Sequence, residues 1–282
     1  MLAADGSGTP VADAKRLTAH GLGLRDLDLA LRERDAADPD VVERVEALMR
    51  RRLTGESVAR IIGEREFYGL AFTLNAATLE PRPETEVLVD LAIARLPAGG
   101  RLLDLGTGTG CIPVSVLANR PDATAVAVDL SGEALAAARE NAERHGVGGR
   151  IAFLQGSWFE PLPVESSASL PSRERWASGQ LFHLIVSNPP YIASAVIPTL
   201  SPEVREFDPA LALDGGPDGL APYRIIAASA RHHLAPGGEL LLEIGYDQAQ
   251  AVREILAREG WGDIAVHNDY SGLDRVVSAH HL

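Results

Sequence analysis

A glycine-rich turn at residues 104–111 constrains the fold of this chain more than any other feature of its sequence. An apolar run leads directly into Gly106, Gly108 and Gly110, and a helical pattern follows. Glycines in such a turn permit positive φ and let a ligand lie against the backbone. Asp129 ends the next predicted strand, about 20 residues further on, where an acidic residue can accept hydrogen bonds from both hydroxyls of a ribose. The pattern predicts a cofactor site on an α/β sheet, although by itself it fits nucleotide cofactors of several kinds.

Strand and helix patterns alternate from residue 101 to the end of the chain. Their short connections indicate a doubly wound, mostly parallel sheet. The last two strands are joined by residues 269–274 alone, so they must be antiparallel neighbours. The predicted strands are 101–105, 124–129, 151–155, 182–187, 238–244, 264–268 and 275–279. The predicted helices are 112–119, 132–145, 220–234 and 248–259.

The part of the chain before residue 81 has a different texture. Residues 11–53 carry leucines and valines at helical spacing, which predicts a small, compact helical domain. Residues 57–79 contain Ile61-Ile62 and Phe67-Tyr68 between glycines, which predicts a short hairpin or pair of strands as a connector. The expected divisions are a helical domain at 1–55, a hairpin linker at 56–80 and the larger domain at 81–282.

A corner locked by two prolines, Asn188-Pro189-Pro190-Tyr191, follows the predicted strand 182–187. Neither proline can donate an N–H, and Pro189 keeps Asn188 out of the helical region, so strand pairing ends here. The proline carbonyls and the Asn188 side-chain oxygen remain acceptors. They can receive both hydrogens of a planar –NH₂ group, with the Tyr191 ring against its plane. The alternative interpretation is a strand-ending turn with an Asx-type cap.

Composition excludes several kinds of protein and site. The formal net charge of −13 argues against a broad nucleic-acid surface, because duplex phosphates would be repelled. Cys111 is the only cysteine, and the eight histidines lack metal-ligand spacing, so we predict neither a disulfide nor a metal site. The sequence has no apolar run of membrane-spanning length and residues 1–10 have no signal pattern, so a cytoplasmic protein is expected. The serine-rich residues 161–180 predict a surface insertion.

Two features favour methyl transfer over nicotinamide chemistry: the predicted sheet ends in an antiparallel hairpin, and the Asn-Pro-Pro-Tyr corner follows its fourth strand. With these motifs the chain resembles the bacterial N5-glutamine methyltransferases that modify peptide chain release factors. The matching segments are 63–69, 81–86, 104–111, 188–192, 207–220 and 243–245. The first, second and fifth are the most specific, because nucleic-acid amino methyltransferases share Asn-Pro-Pro-Tyr. Glu80 departs from the family, which more often has an apolar residue there.

The resemblance implies a class I methyltransferase domain with a seven-stranded sheet, a hairpin linker and a five-helix-like N-terminal domain that recognises the substrate protein. It implies S-adenosyl-L-methionine as cofactor and S-adenosyl-L-homocysteine as product. The residues expected to hold the cofactor are Gly106, Thr107, Gly108, Thr109, Gly110, Asp129, Trp158 and Asn188. The residues expected to bind substrate and carry catalysis are Asn188, Pro189, Pro190 and Tyr191. The expected partners are class 1 peptide chain release factors, methylated at the glutamine of their Gly-Gly-Gln motif, without membrane or direct nucleic-acid contact.

Several interpretations stay open at this point. Asp104 is either a structural residue that holds the turn or a cofactor contact, and Trp158 is either a core residue or a cofactor contact. The methyl acceptor is a glutamine of a release factor, a glutamine of a ribosomal protein, or an exocyclic amine of a flipped base. A non-catalytic binding module is the alternative of a different class. For an amide acceptor we expect no strong base, because accepting both N–H groups favours the transition state.

Overall fold

A mixed seven-stranded sheet forms the centre of the computed structural model, which describes residues 9–32, 34–36, 38–162 and 181–281. The strands are β1 (Glu64–Phe67), β2 (Leu70–Thr73), β3 (Arg101–Leu105), β4 (Thr124–Asp129), β5 (Ile151–Gln155), β6 (Phe182–Ser187), β7 (Leu234–Glu243), β8 (Gly262–Asn268) and β9 (Asp274–His280). The large sheet has the order β5-β4-β3-β6-β7-β9-β8, and β1 and β2 form a separate antiparallel pair. Strands β3 to β7 are parallel, whereas β9 is antiparallel to β7 and β8. The predicted sheet with its closing hairpin is confirmed.

Helices cover both faces of the sheet. They are α1 (Pro10–Leu22), α2 (Asp26–Leu31), α3 (Pro39–Leu53), α4 (Val58–Ile62), α5 (Glu86–Arg95), α6 (Cys111–Asn119), α7 (Gly132–Arg144), α8 (Pro202–Phe207), α9 (Ala210–Leu213), α10 (Ala221–Ser229) and α11 (Ala249–Arg258). Successive strand residues point to opposite faces, so Leu102 joins the core under α5, α6, α7 and the β1–β2 hairpin, while Leu103 joins the core under α10 and α11. Within the described ranges, no helix combines the length and apolar character that crossing a membrane requires.

The first four strands of the large sheet, β3 to β6, begin and end where the sequence predicted, but β7 begins earlier, at Leu234. Phe182 pairs with Leu234, and Leu184 pairs with Glu239, so an irregularity in β7 accommodates the intervening proline and glycines. The helix predicted at 220–234 ends as α10 at Ser229 and continues as a 3₁₀ turn. Leu234, the last residue of the predicted helix, instead pairs with Phe182 of β6, a contact that the local sequence does not reveal.

Among the described residues, four helices, α1 to α4, precede the hairpin, and the five-helix-like domain that the resemblance implied stays a prediction because residues 1–8 lie outside the described ranges. Two other expectations for the N-terminal part differ from the structure. Ile61 and Ile62, expected in strands, lie in α4, because Ser57 Oγ caps this helix at Arg60 N (3.1 Å) and Gly63 ends it with φ +80°. Leu17 is fully buried as a compact domain requires, but Leu27 is 76% exposed. Most of the predicted serine-rich insertion, from residue 163 to residue 180, lies outside the described residues.

Asn141 on α7 ties the β1–β2 hairpin to the glycine-rich turn. Its side chain is fully buried. Its Oδ1 accepts from the Thr73 backbone nitrogen at 2.8 Å, and its Nδ2 donates to the carbonyls of Thr73 at 3.1 Å and Thr109 at 2.9 Å. One amide therefore satisfies three backbone groups and holds β2 against the turn that follows β3.

We predict that Asn141→Ala lowers the free energy of unfolding by about 2 to 4 kcal/mol, because it leaves buried backbone groups without partners. Urea unfolding monitored by circular dichroism measures the change. The matched control is Asn119→Ala, which removes an exposed asparagine bonded only to a carbonyl of its own helix among the described contacts. The control should change stability by no more than about 0.5 kcal/mol. Equal effects of the two substitutions would contradict the role of Asn141.

Candidate active site

A cavity of about 650 Å³ opens at the carboxyl ends of the central strands. Its position between β3 and β6 is where the strand order reverses, and open α/β sheets bind their ligands at such a point. The volume is in the range of about 300 to 1,000 Å³ typical of small-molecule sites. The predicted site residues that line it are Gly106, Thr107, Gly108, Thr109, Asp129, Trp158, Asn188 and Pro190. Of the remaining predicted residues, Gly110, Pro189 and Tyr191 are described but are not among the lining residues.

The three glycines of the turn have positive φ but different surroundings. Gly106 has φ +75° and Gly108 has φ +54°, and a β-carbon added at either would meet no atom of the described residues within 4 Å. Their free face therefore leaves the backbone open toward the cavity. Gly110 instead packs against α7, since an added β-carbon would lie 3.1 Å from Ala138 Cβ. The first two glycines suit ligand contact, and the third suits close helix packing.

Two aspartates beside the turn differ in their hydrogen bonding. Asp129 accepts from the backbone nitrogens of Gly108 at 2.8 Å and Ser131 at 2.9 Å, and burial raises the pKa of its carboxyl. Asp104 is fully buried, and neither of its carboxylate oxygens has a hydrogen-bond partner among the described residues. Burial, which outweighs the nearby Thr107 hydroxyl, raises the pKa of Asp104 to about 7. Asp104 is not among the residues that line the cavity, and the cost of burying its charge explains the raised pKa.

Trp158 lines the cavity in a strained backbone conformation. Its φ of +48° is unusual for a bulky residue. Its side chain packs partly buried against the core under α10 and α11. Residues held in sparsely populated conformations cluster at ligand sites, where the surrounding structure imposes them. Trp158 thus packs against the core and also lines the cavity, while its contact with a cofactor stays a prediction.

Asn188 is held at the cavity wall by its nitrogen. Ser187, the last residue of β6, donates from Oγ to the Leu105 carbonyl at 2.6 Å and so fixes the end of the strand. Asn188 Nδ2 then donates to Thr85 Oγ1 at 3.2 Å. One N–H of the Asn188 amide is thus engaged, and its oxygen is able to accept hydrogen bonds from a ligand.

The rest of the Asn-Pro-Pro-Tyr corner rests on a glycine-rich segment. The Gly215 backbone nitrogen donates to the Ile192 carbonyl at 2.8 Å, and Gln248 Nε2 donates to the Tyr191 carbonyl at 2.9 Å. A β-carbon at Gly215 would lie 2.7 Å from the Pro190 carbonyl oxygen, so only glycine fits this contact. The Tyr191 ring packs against the core, and burial raises its pKa to about 12. The predicted stacking of this ring on an acceptor stays a prediction.

An ion cluster centred on the buried Asp208 holds one edge of the cavity in place. This edge, formed by residues 208–212, is called the lip. Asp208 lies between two arginines, with Oδ1 at 2.5 Å from Arg60 Nη2 and Oδ2 at 2.6 Å from Arg82 Nη2. Arg60 also donates to the carbonyls of Asn75 and Thr78. The cluster joins α4, the cavity wall and the chain that enters α9. It therefore couples the N-terminal helices to the lip.

Glu80, where the chain departs from the family it resembles, is buried beside the cavity and paired. Its Oε2 accepts from Ser57 Oγ at 2.7 Å, and its Oε1 lies 3.2 Å from Arg65 Nη1. Ser57 and Arg65 lie on either side of α4, so Glu80 adds a polar contact between that region and the cavity wall. Ser57 and Arg65 thus compensate for the burial of the Glu80 carboxyl group.

Sequence reasoning assigned no role to Thr85, Glu243 and Gln248, which lie close to the corner although they are distant in the chain. It interpreted Asp208-Pro209 and Asp214-Gly-Gly216 as turns that could also frame the substrate mouth, and the structure places Asp208 in an ion cluster and Gly215 against the corner. Most of these residues belong to the segments 81–86, 207–220 and 243–245, so the resemblance marked the segments without indicating their roles. Within the described residues, no three His, Cys, Asp or Glu side chains lie together as metal ligands would.

Comparison with known proteins finds relatives over nearly the whole chain. Residues 1–63 match the family described as PrmC N-terminal domain, and residues 96–255 match a methyltransferase domain. A release factor glutamine methyltransferase of Cereibacter sphaeroides is 44% identical over 278 residues, covering 99% of this chain and 94% of that protein. Its namesake from Agrobacterium fabrum is 41% identical, covering 98% and 92%. A methyltransferase structure from Pyrococcus furiosus shares the fold, with TM-score 0.52 and 16% identity over 83% of this chain and 98% of that one.

We predict that Asp129→Ala weakens the binding of S-adenosyl-L-methionine by about 10- to 100-fold, the loss expected when a charged acceptor of hydrogen bonds is removed. Isothermal titration calorimetry measures the dissociation constant. The matched control is Glu133→Ala, which removes an exposed acid from the first turn of α7. The control should bind like the wild type, and an unchanged affinity of Asp129→Ala would exclude the ribose contact.

Proposed function

This chain belongs to the family of release factor glutamine methyltransferases, and we propose that it methylates the side-chain nitrogen of the glutamine in the Gly-Gly-Gln motif of class 1 peptide chain release factors. The methyl donor is S-adenosyl-L-methionine. The observation that carries the proposal is the state of Asn188, whose nitrogen is engaged by Thr85 while its oxygen remains an acceptor at the cavity. That arrangement suits an acceptor that offers N–H groups.

The residues of the cavity fit the proposed cofactor. Gly106 and Gly108 leave the backbone face open, and Asp129 and Trp158 line the wall beyond them. When bound, S-adenosyl-L-methionine supplies an electrophilic methyl group on a positively charged sulfur. The chain itself has to orient the acceptor nitrogen.

The acceptor is a poor nucleophile, because the nitrogen lone pair of an amide is delocalised into its carbonyl. Asn188 Oδ1 and the Pro189 carbonyl accept the two N–H groups and so turn the nitrogen toward the methyl group. As the N–C bond forms and the S–C bond breaks, the N–H groups become more acidic and both hydrogen bonds strengthen. The nitrogen then releases one proton to solvent. Tyr191 stabilises the positive charge that develops on the acceptor.

The protein partner and the location are part of the same proposal. The names of the relatives support a release factor as substrate, and the net charge of −13 argues against a nucleic-acid substrate. The helical domain at residues 1–55 contacts the release factor, the hairpin region at 56–80 links it to the catalytic domain, and the reaction takes place in the cytoplasm.

We predict that Asn188→Ala lowers the rate of methyl transfer by at least about 100-fold, because the transition state loses an aligned acceptor. The affinity for S-adenosyl-L-methionine should stay within a few fold of the wild type, since the residue's main contact is with the acceptor. Transfer of labelled methyl measures the first and calorimetry the second. Asn268→Ala removes an exposed side chain that bonds to the Gly272 carbonyl within the β8–β9 turn and does not line the cavity; it is the matched control and should be fully active. Turnover by Asn188→Ala equal to the control would refute the assigned role.

The substrate is identified by mass spectrometry of release factor incubated with the enzyme and S-adenosyl-L-methionine. We expect the mass of one methyl group on the glutamine of the Gly-Gly-Gln peptide. Parallel incubations contain ribosomal proteins and nucleic acid. Methylation of either of these without methylation of release factor would overturn the proposed substrate.

A further inference from the structure

A buried carboxyl group stands behind the Asn-Pro-Pro-Tyr corner. Ser187 pairs with Leu242 in neighbouring parallel strands, so Asn188 and Glu243 are the next residues in the same register. Glu243 ends β7 and is 1% exposed, and it is not among the residues that line the cavity. Because Glu243 does not line the cavity, it can influence the site through lining residues near it, among them Thr85 and Asn188.

Glu243 lies near both of these side chains. Its Oε2 is buried and has no hydrogen-bond partner among the described residues, and the Thr85 hydroxyl and the Asn188 amide both favour the charged form of its carboxyl and so act to lower its pKa. Thr85 is 2% exposed and accepts from Asn188 Nδ2 at 3.2 Å. Asn188 at the cavity wall is thus bonded to a buried threonine that has a buried carboxyl group beside it.

The direction of the hydrogen bonds at Thr85 decides which end of the Asn188 amide faces the cavity. The oxygen and the nitrogen of a carboxamide have nearly the same shape, so only the hydrogen-bond partners distinguish the two orientations. The Thr85 hydroxyl can donate or accept. An ionised Glu243 can only accept, so a Thr85 hydroxyl that bonds to it must donate, and the Thr85 oxygen then accepts from Asn188 Nδ2. The Asn188 oxygen then faces the cavity.

We propose that Thr85 and Glu243 are positioning residues that lock the Asn188 carboxamide with its oxygen toward the methyl acceptor. This inference rests on the proposed function, because a glutamine –NH₂ is the group that needs an acceptor there. In the reversed orientation Asn188 would present its own N–H groups to those of the substrate, and the corner would repel it.

The charged state of Glu243 is finely balanced by its surroundings. Burial raises the pKa of Glu243 to about 7, while the Thr85 hydroxyl and the Arg275 guanidinium act in the opposite direction. Arg275 is itself paired with Asp269 at 3.2 Å, which limits its effect. The titratable and charged groups that act on Glu243 or respond to its charge are Arg275 on β9, Glu84 before α5, Cys111 on α6, Tyr191 after β6 and Tyr223 on α10.

The test compares two substitutions at Thr85. Thr85→Val keeps the shape and removes the hydroxyl, and Thr85→Ser keeps the hydroxyl and removes a methyl group. We expect Thr85→Val to lower kcat for methylation of release factor by about 10- to 100-fold, the loss expected from a misplaced reacting group, and Thr85→Ser to restore most of it. A purely structural role predicts the reverse order, because valine fills the buried space and serine leaves a gap. Calorimetry with S-adenosyl-L-methionine should give similar affinities for both.

A second variant tests the carboxylate. The glutamine side chain of Glu243→Gln can donate a hydrogen bond to Thr85 as well as accept one, so the Thr85 hydroxyl no longer has to donate. This substitution should therefore lower kcat to a similar extent as Thr85→Val. In the wild type, kcat should fall as pH decreases through about 7, because protonated Glu243 can also donate. This acid limb should be absent in Glu243→Gln. Thr73→Val, which removes a hydroxyl 3.5 Å from surface residue Glu140, is the matched control and should be fully active.

The outcomes separate this inference from the proposed function. An inactive wild-type chain with release factor would overturn the function and the inference with it. An active wild type with Thr85→Val equally active, or with Thr85→Ser weaker than Thr85→Val, would overturn the positioning role alone. An acid limb retained in Glu243→Gln would show that another group sets the pH dependence and would overturn the assignment of Glu243.

Discussion

The two consecutive residues without an N–H group, Pro189 and Pro190, constrain the whole catalytic half of the molecule. Strand β6 lies in the middle of the sheet between β3 and β7, and its pairing stops at Ser187 because the next residues cannot continue the ladder. The chain must leave the sheet at the place where strand order reverses and a crevice opens. The glycine-rich turn after β3 reaches the same crevice from the neighbouring strand. The glycine-rich turn and the Asn-Pro-Pro-Tyr corner therefore line the same cavity as a direct result of topology.

Polar side chains, rather than apolar contacts alone, attach the peripheral parts to this centre. Asn141 bonds the hairpin to the turn after β3, Asp208 bonds α4 to the lip, and Glu80 bonds the same region to the cavity wall. Each is buried, and each satisfies partners from separate parts of the chain. Hydrogen bonds and ion pairs have narrow geometric tolerance, whereas apolar contacts permit sliding. The attachments therefore set the relative placement of hairpin, lip and cavity as well as holding them together.

Local signals in the sequence were sufficient for the centre of the fold and insufficient for its connections. Strands β3 to β6 are short apolar runs bounded by glycine, proline or acidic residues, and their ends were predicted correctly. Ile61 and Ile62 favoured a strand by residue type, but the caps at Ser57 and Gly63 decide for a helix. The glycine turn and the Asn-Pro-Pro-Tyr corner could be recognised because each is a contiguous motif. Thr85 could not, because it meets Asn188 across 103 residues of chain, and Asp208 meets Arg60 across 148.

In the proposed function, the acceptors at Asn188 Oδ1 and the Pro189 carbonyl also distinguish glutamine from glutamate in the target. Glutamine and glutamate have almost the same shape, yet an ionised carboxylate offers lone pairs alone and would confront those of Asn188 and Pro189. Burying that repulsion is costly in a water-poor crevice, so a target whose glutamine has been hydrolysed to glutamate would bind more weakly. A deamidated protein would thus be refused without any residue dedicated to rejecting it.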